Sequence, residues 1–471
     1  MLSVFINQAT RLITPNMVAG NRTMVPVLNG KKTSYVNLDN AASTPPFNAV
    51  VRKVNEFMEW YSNVHRGMGF KSQVATQVYE EARQVVAHFV KADPEQNSIV
   101  LVRNTTEAIN KLAGRLYFPP ESVVISTAME HHSNDLPWRG RARVMYADVD
   151  AKGALDVNDV EMKLAQNAGK VRLLAVTGAS NVTGYVNDVH QLARLAHRYG
   201  AQILVDAAQL APHRAINMLP NDHPEHLDFL AFSGHKLYAP YGTGALIGPR
   251  EVFAQGIPDQ VGGGTVELVT HGAVLWAEPP HKEEAGTPNL AGAVALAKAL
   301  KILQEVGMER VAEHERRLTA YALRRMGSLP GLKIFGASKP EEGDSRVGVI
   351  SFTVQGMEAG LVAGILSSEG GIGVRNGCFC AHPYVIKLLG FPPEEMQGLW
   401  ERISSGDRRN LPGLVRISFG LYNTKEDVER FIAVLGKIVE GRYEGKYTLN
   451  CQEGSYWPQG FSPKVEHYFS L

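Results

Sequence analysis

Between residues 98 and 250 the chain alternates short apolar runs with amphipathic stretches, and this rhythm constrains the fold more than any other feature. Runs at 98–103, 123–126, 171–178, 202–205 and 227–232 are dominated by Val, Ile, Leu, Phe and Ala, with little in-and-out alternation. Strands of that kind are buried on both faces, as in a parallel sheet covered by its crossover helices. Helical patterns at 108–116 and 189–199 fill two of the intervals. The expectation is an open, mostly parallel α/β sheet, which binds ligands outside the carboxyl ends of its strands.

Each run delivers polar residues to that rim. The run 202–205 ends in Asp206-Ala207-Ala208-Gln209, and 227–232 ends in Ser233-Gly234-His235-Lys236. Taken singly, Lys236 reads equally as a surface lysine after a strand. A desolvated lysine beside cationic groups has its pKa lowered toward neutrality, however, and can condense with an aldehyde. Pyridoxal phosphate requires such an amine and an anion for its pyridine nitrogen, and Lys236 and Asp206 supply both from one rim. The run 98–103 breaks at Asn104-Thr105-Thr106-Glu107. Thr105 or Thr106 there is either a plain helix N-cap or part of a phosphate site. Two further runs lead to Glu130-His131-His132-Ser133-Asn134 and to Asn181.

Outside this region, 25–32 reads as a hairpin turning at Asn29-Gly30, and 35–45 as a short strand ending in small residues. Helices are expected at 48–61, capped by Asn48, and at 73–90, with Asn63-Val64-His65-Arg66-Gly67 between them. A helical pattern over 290–326, interrupted at Gly307, leads to strands at 346–353 and 414–419 and helices at 359–368 and 425–439. The loop Arg375-Asn376-Gly377-Cys378-Phe379-Cys380-Ala381-His382 offers accessible thiols. With three cysteines and a net charge of +1, the chain has neither a disulfide framework nor a basic excess for nucleic acid or membrane. No apolar run approaches membrane-spanning length. Two cysteines without further ligands assign no metal. Residues 1–38 lack acidic side chains and faintly resemble a transit peptide, but the hairpin favours a cytoplasmic protein whose N-terminal arm packs on the fold.

In these residues the chain resembles the class V family of pyridoxal-phosphate enzymes. Within it the likeness is to the cysteine desulfurases of the sulfur-mobilisation (group II) branch, which includes selenocysteine lyases. It runs from about residue 35 to about residue 440. The resemblance implies an α/β, fold-type I transferase, with a large domain built on a mostly parallel, seven-stranded type of sheet and a smaller α+β C-terminal domain. Expected boundaries are 1–45 for an N-terminal arm and part of the small domain, 46–300 for the large domain, 301–440 for the small domain and 441–471 for an aromatic, loop-like tail.

The resemblance also implies roles. Lys236 holds pyridoxal 5'-phosphate and moves protons, Asp206 faces its ring nitrogen, and His131 stacks on the ring. Asn181 and Gln209 neighbour the phenolic oxygen. Thr105, Thr106, Ser233 and His235 bind phosphate, joined by Thr287 across the interface of a homodimer. Cys380 aligns with the sulfur-accepting nucleophile, helped to ionise by His382 or Arg375. Arg416 grips the α-carboxylate of the substrate, with Asn40, Ala41 and Arg375 as substrate neighbours and His65 and Arg66 as substrate or partner contacts. Cys378 departs from the branch and is more similar to the molybdenum-cofactor sulfurases, as relay or bystander. The insertion 391–410, another departure, is a lid or a partner-binding segment, and a sulfur-acceptor protein is expected without being identified. The reaction implied is L-cysteine to L-alanine, with persulfide on Cys380. The rival readings are another class V reaction (selenocysteine lyase, aminotransferase, epimerase or C–S lyase) and a sulfur-relay or scaffold protein.

Overall fold

A computed structural model describes residues 13–65 and 67–471. Seven strands form its central sheet: β1 (Asn97–Val102), β2 (Val123–Thr127), β3 (Arg143–Ala147), β4 (Val171–Thr177), β5 (Gln202–Asp206), β6 (Phe229–Ser233) and β7 (Gly244–Pro249). Their order is β1-β7-β6-β5-β4-β2-β3. Pairings from β6 to β3 are parallel, and β7 runs antiparallel to both of its neighbours. The α/β, mostly parallel reading holds. Successive side chains serve opposite faces: Ile203 and Val205 pack into one core and Leu204 into the other. β3 escaped the sequence reading because it is the sheet's edge, where Arg143 and Tyr146 are exposed and the apolar signal is broken.

A second, antiparallel sheet holds β8 (Leu332–Phe335), β9 (Val349–Val354), β10 (Arg375–Gly377) and β11 (Leu414–Ser418) in the order β8-β9-β11-β10. The N-terminal segment is stitched into this unit. Val36–Asn37 pairs in parallel with Ile372–Gly373, and Val36 and Leu38 share a core with Ile350, Phe352 and Phe431. Helices Leu290–Val306 and Met308–Gly327 meet at Gly307, whose φ of 88° ends the first as the sequence anticipates. Strands Met24–Pro26 and Lys32–Ser34 form the expected hairpin, with Asn29 and Gly30 left-handed at its turn.

Three local expectations change. Asn48 is the first helical residue of Asn48–Met58, and Phe47 occupies the cap position. Asn104, rather than Thr105 or Thr106, caps helix Thr105–Arg115 by accepting from the Glu107 amide at 2.9 Å. The tail is not mere loop: Tyr447–Asn450 and Ser455–Pro458 form a hairpin on helix Ala359–Gly370. Tyr456 donates its hydroxyl to Glu358 at 2.6 Å, and a Cβ on Gly364 would come within 3.0 Å of the Tyr456 carbonyl oxygen. The insertion carries helix Met396–Ser404 and joins this hairpin where the Arg408 amide donates to the Cys451 carbonyl. Among the described residues, no helix is long and apolar enough to cross a membrane.

Candidate active site

The carboxyl ends of β1, β2, β4, β5 and β6 meet the cysteine loop and Ala41 around a cavity of about 360 Å³. Lys236 ends a single turn after β6, and Gly234 permits that turn because a Cβ there would lie 2.7 Å from the Thr243 carbonyl oxygen. Burial, aided by the Arg416 charge, pushes the Lys236 amine down to about 8, against the attraction of Asp206 and Cys380. Asp206 accepts from the Ala208 amide at 2.9 Å, yet burial raises its pKa. A protonated ring nitrogen facing it would hold that carboxylate ionised.

His131 is held below its ordinary range, at about 3, by burial first and Lys236 second. Its Nδ1 accepts from the Ser133 amide at 3.1 Å, so the single proton of the neutral ring sits on Nε2. Beside it hydroxyls line the start of helix Thr105–Arg115. Thr105 Oγ1 lies 2.7 Å from Ser233 Oγ, and Thr106 Oγ1 lies 2.7 Å from Ser133 Oγ. Hydroxyls and free amides at a helix N-terminus are the donor set that a phosphate group takes. His235 lines the same cavity, its ring pushed down to about 4 by burial and Lys236. Gln209 gives its amide hydrogen to the Ala41 carbonyl at 2.6 Å and leaves Oε1 buried and unpaired, as in a wall completed by a bound polar group. Amine, carboxylate, flat imidazole and hydroxyl cradle together fit pyridoxal phosphate.

The opposite wall is cationic. Buried Arg416, on β11, donates to the Asn181 carbonyl and to Asp39, both at 3.0 Å, while its Nε is unpaired. Half-exposed Arg375, on β10, reaches the other Asp39 oxygen at 2.7 Å. Asp39 thus bridges two arginines on neighbouring strands; sequence reasoning missed it, although it directly precedes Asn40-Ala41.

The cysteine loop is held in a strained shape. Phe379 and Cys380 adopt left-handed φ angles of 52° and 55°, sparsely populated for such residues. Two rim residues pin the loop by its carbonyls: Asn181 Nδ2 donates to Phe379 at 2.7 Å, and the His132 amide to Cys380 at 2.8 Å. The exposed Cys380 then lines the cavity that holds Lys236. Cys378 is buried, donates to the Pro412 carbonyl at 3.1 Å and has its thiol pushed up to about 11 by burial. His382 stacks on His132 with ring centroids 4.9 Å apart.

Several expected residues sit elsewhere. The side chain of Asn40 turns into a buried network with Ser418, Tyr422 and Asn423 and does not line the cavity, whereas Ala41 does. Asn181 lines the cavity and gives one of its two amide hydrogens to the cysteine loop. Thr287 is exposed and lines a separate cavity with Asn104, Tyr241 and Thr243. His65 also lies outside the Lys236 cavity, against Tyr79 and His281, and Arg66 lies outside the described residues. Ser133, a site hydroxyl the reading passed over, was marked by its place after His131-His132 at a strand end.

Residues 36–431 match the family model Aminotransferase class-V. The probable cysteine desulfurase 1 of Mycobacterium leprae is 36% identical over 450 residues, covering 94% of this chain and 66% of the relative. This chain therefore spans just under two thirds of that relative's length. A probable cysteine desulfurase of Halalkalibacterium halodurans is 34% identical, with 89% and 97% covered. Among solved structures, the apo cysteine desulfurase of Thermococcus onnurineus NA1 superposes with a TM-score of 0.77 at 33% identity, covering 92% of this chain and all of that one. With its lysine, aspartate and hydroxyl cradle on one sheet rim, this chain belongs to the aminotransferase class-V family of pyridoxal-phosphate enzymes.

Proposed function

We propose that the protein is a cysteine desulfurase, taking sulfur from L-cysteine and leaving L-alanine. The observation that carries this reading is Cys380 on the wall of the Lys236 cavity, its loop anchored at two carbonyls. The names borne by its relatives agree with it. When bound, pyridoxal phosphate supplies an electron sink for the substrate's α-carbon. Asp206 keeps the ring nitrogen charged, while Thr105, Thr106, Ser233 and His235 hold the phosphate. Arg416 and Arg375 orient the substrate carboxylate, as paired guanidinium donors do.

Lys236, near neutrality through burial, moves the proton at the substrate α-carbon. Cys380 thiolate attacks the substrate sulfur, the Cβ–S bond breaks, and its electron pair remains with carbon. That carbon takes a proton to become the alanine methyl, and Cys380 keeps the sulfur as a persulfide. No external oxidant enters. Cys378, protonated and bonded to a carbonyl, is a bystander in this step. We further infer a homodimer in which the exposed Thr287 serves the neighbouring subunit's phosphate, a sulfur-acceptor protein, and a cytoplasmic location.

The test is protein loaded with cofactor, given L-cysteine, with alanine and sulfide measured together under a thiol reductant. Equal yields support desulfuration. Pyruvate would indicate β-elimination, and mercaptopyruvate transamination; turnover of selenocysteine alone would make it a selenocysteine lyase. Asp206→Asn should retain the cofactor, read by absorbance, but lose turnover by roughly 10²–10³-fold, the scale on which removing one preorganised electrostatic group acts. Turnover within a few-fold of the parent, with cofactor bound, would remove Asp206 from this role.

A further inference from the structure

We propose that His197, His226 and Asp228 form a binding site for a divalent transition metal, Zn²⁺ in the first instance, distinct from the catalytic cavity. His197 lies in the last turn of helix Val189–Arg198; His226 and Asp228 come from Asp222-His223-Pro224-Glu225-His226-Leu227-Asp228, just before β6. Candidate ligand atoms of all three residues lie within 4.8 Å of one another. His197 Nε2 is 2.8 Å from one Asp228 oxygen and His226 Nε2 3.4 Å from the other. The two rings stack with centroids 4.3 Å apart.

Both imidazoles are set for ligation by what their other nitrogens do. His197 Nδ1 lies 2.9 Å from the Pro224 carbonyl oxygen, and His226 Nδ1 lies 2.6 Å from that of His223. A carbonyl only accepts, so each Nδ1 carries a proton, and the Nε2 facing the carboxylate is the nitrogen left to bind a metal once any proton on it has gone. A backbone carbonyl behind each ring is the arrangement that orients metal-binding histidines. Asp228 is fixed as well, since Oδ2 also accepts from the Ile203 amide at 2.8 Å. In this geometry the polar hydrogens between Nε2 and carboxylate are exchangeable for one cation, with protons released to solvent on binding.

The ligand set suits zinc or a neighbouring late transition ion and does not suit magnesium. Zinc takes imidazole nitrogen at about 2.0–2.1 Å and carboxylate oxygen at about 2.0–2.2 Å, which puts neighbouring ligand atoms roughly 3.3 Å apart. Magnesium prefers oxygen ligands and its own water shell. His197 and His226 side chains keep 20% and 15% of their exposure, so an ion can enter and retain a water as its fourth ligand. The site sits at the amino ends of β5 and β6, whose other ends carry Asp206 and Ser233. Five residues of strand at ~3.3 Å each put it about 16 Å from that rim. Its effect is that of a clip, tying helix Val189–Arg198 to the segment before β6.

The experiment is calorimetric titration of chelator-treated, dialysed holoenzyme with zinc chloride, alongside thermal melts with and without zinc. One Zn²⁺ per chain is expected at this site, with a rise in Tm that magnesium chloride does not produce. His226→Ala and His197→Gln should each weaken that binding by at least about tenfold. Both variants should lose the zinc-dependent rise in Tm while forming alanine at the parent rate. Equal zinc stoichiometry, affinity and Tm rise in the parent and both variants would place the ion elsewhere, the thiols included, and overturn the proposal. So would a parent protein that takes up no zinc at micromolar concentration, which would leave the triad an ion-pair cluster.

Discussion

Lys236→Ala should abolish alanine formation from L-cysteine, with a loss of at least about 10³-fold, because in the proposed mechanism one group both holds the cofactor and moves the substrate proton. The buried amine has no substitute among the cavity's described residues, since His131 and His235 are both held well below neutrality by burial. The same burial sets a pH dependence. With the amine pushed down to about 8, the fraction able to attack an aldehyde rises about tenfold per pH unit below that value and then levels off. Association of the cofactor-free protein with pyridoxal phosphate, followed by absorbance, should therefore accelerate from pH 6 to 8 and flatten beyond. An ordinary lysine would still be accelerating at pH 9. Continued acceleration past pH 9, or turnover by Lys236→Ala within tenfold of the parent, would mean that the amine assigned here is the wrong one.

Cys380→Ser should bind L-cysteine, seen as a change in the visible spectrum of the holoenzyme, yet release alanine at least about 10³-fold more slowly, the scale on which nucleophile deletions act. Serine keeps the shape of the side chain, but its hydroxyl is scarcely ionised at neutral pH and attacks sulfur poorly. Cys378→Ser should leave the first turnover intact, since that thiol is buried and bonded to the Pro412 carbonyl. Mass spectrometry after one turnover should find a single added sulfur atom, about 32 Da, on Cys380. Alanine formed at the parent rate by Cys380→Ser would sink the desulfurase mechanism.

The contrast between Lys236 and Cys380 marks how far the residues alone could be read. Lys236 and Asp206 were legible as rim residues because each follows an apolar run, Asp206 directly and Lys236 after one turn, and side chains at the ends of parallel strands share a rim. Gly307 as a helix break and Asn29-Gly30 as a turn were legible for the same local reason: a few neighbouring side chains decide the backbone. What spacing could not reveal are meetings between residues far apart in the chain. Asn181 holds Phe379 across 198 positions, and Asp39 joins Arg416 across 377. Asn40, small and polar beside the site, turned away because Ser418 and Asn423, nearly four hundred residues on, offered its amide buried partners.

The order of the strands decided those meetings, and buried polar groups then took whichever partners the packing brought near. The same holds for His197, which the chain separates from His226 and Asp228 by a whole strand and its approach. Local periodicity thus carried the sheet, its rim and the place of Lys236 on that rim, because apolar burial along a strand depends on adjacent residues. The aim of Cys380, the bridging of the arginines and the histidine–aspartate cluster came only from tertiary packing, because hydrogen-bond partners are chosen in space.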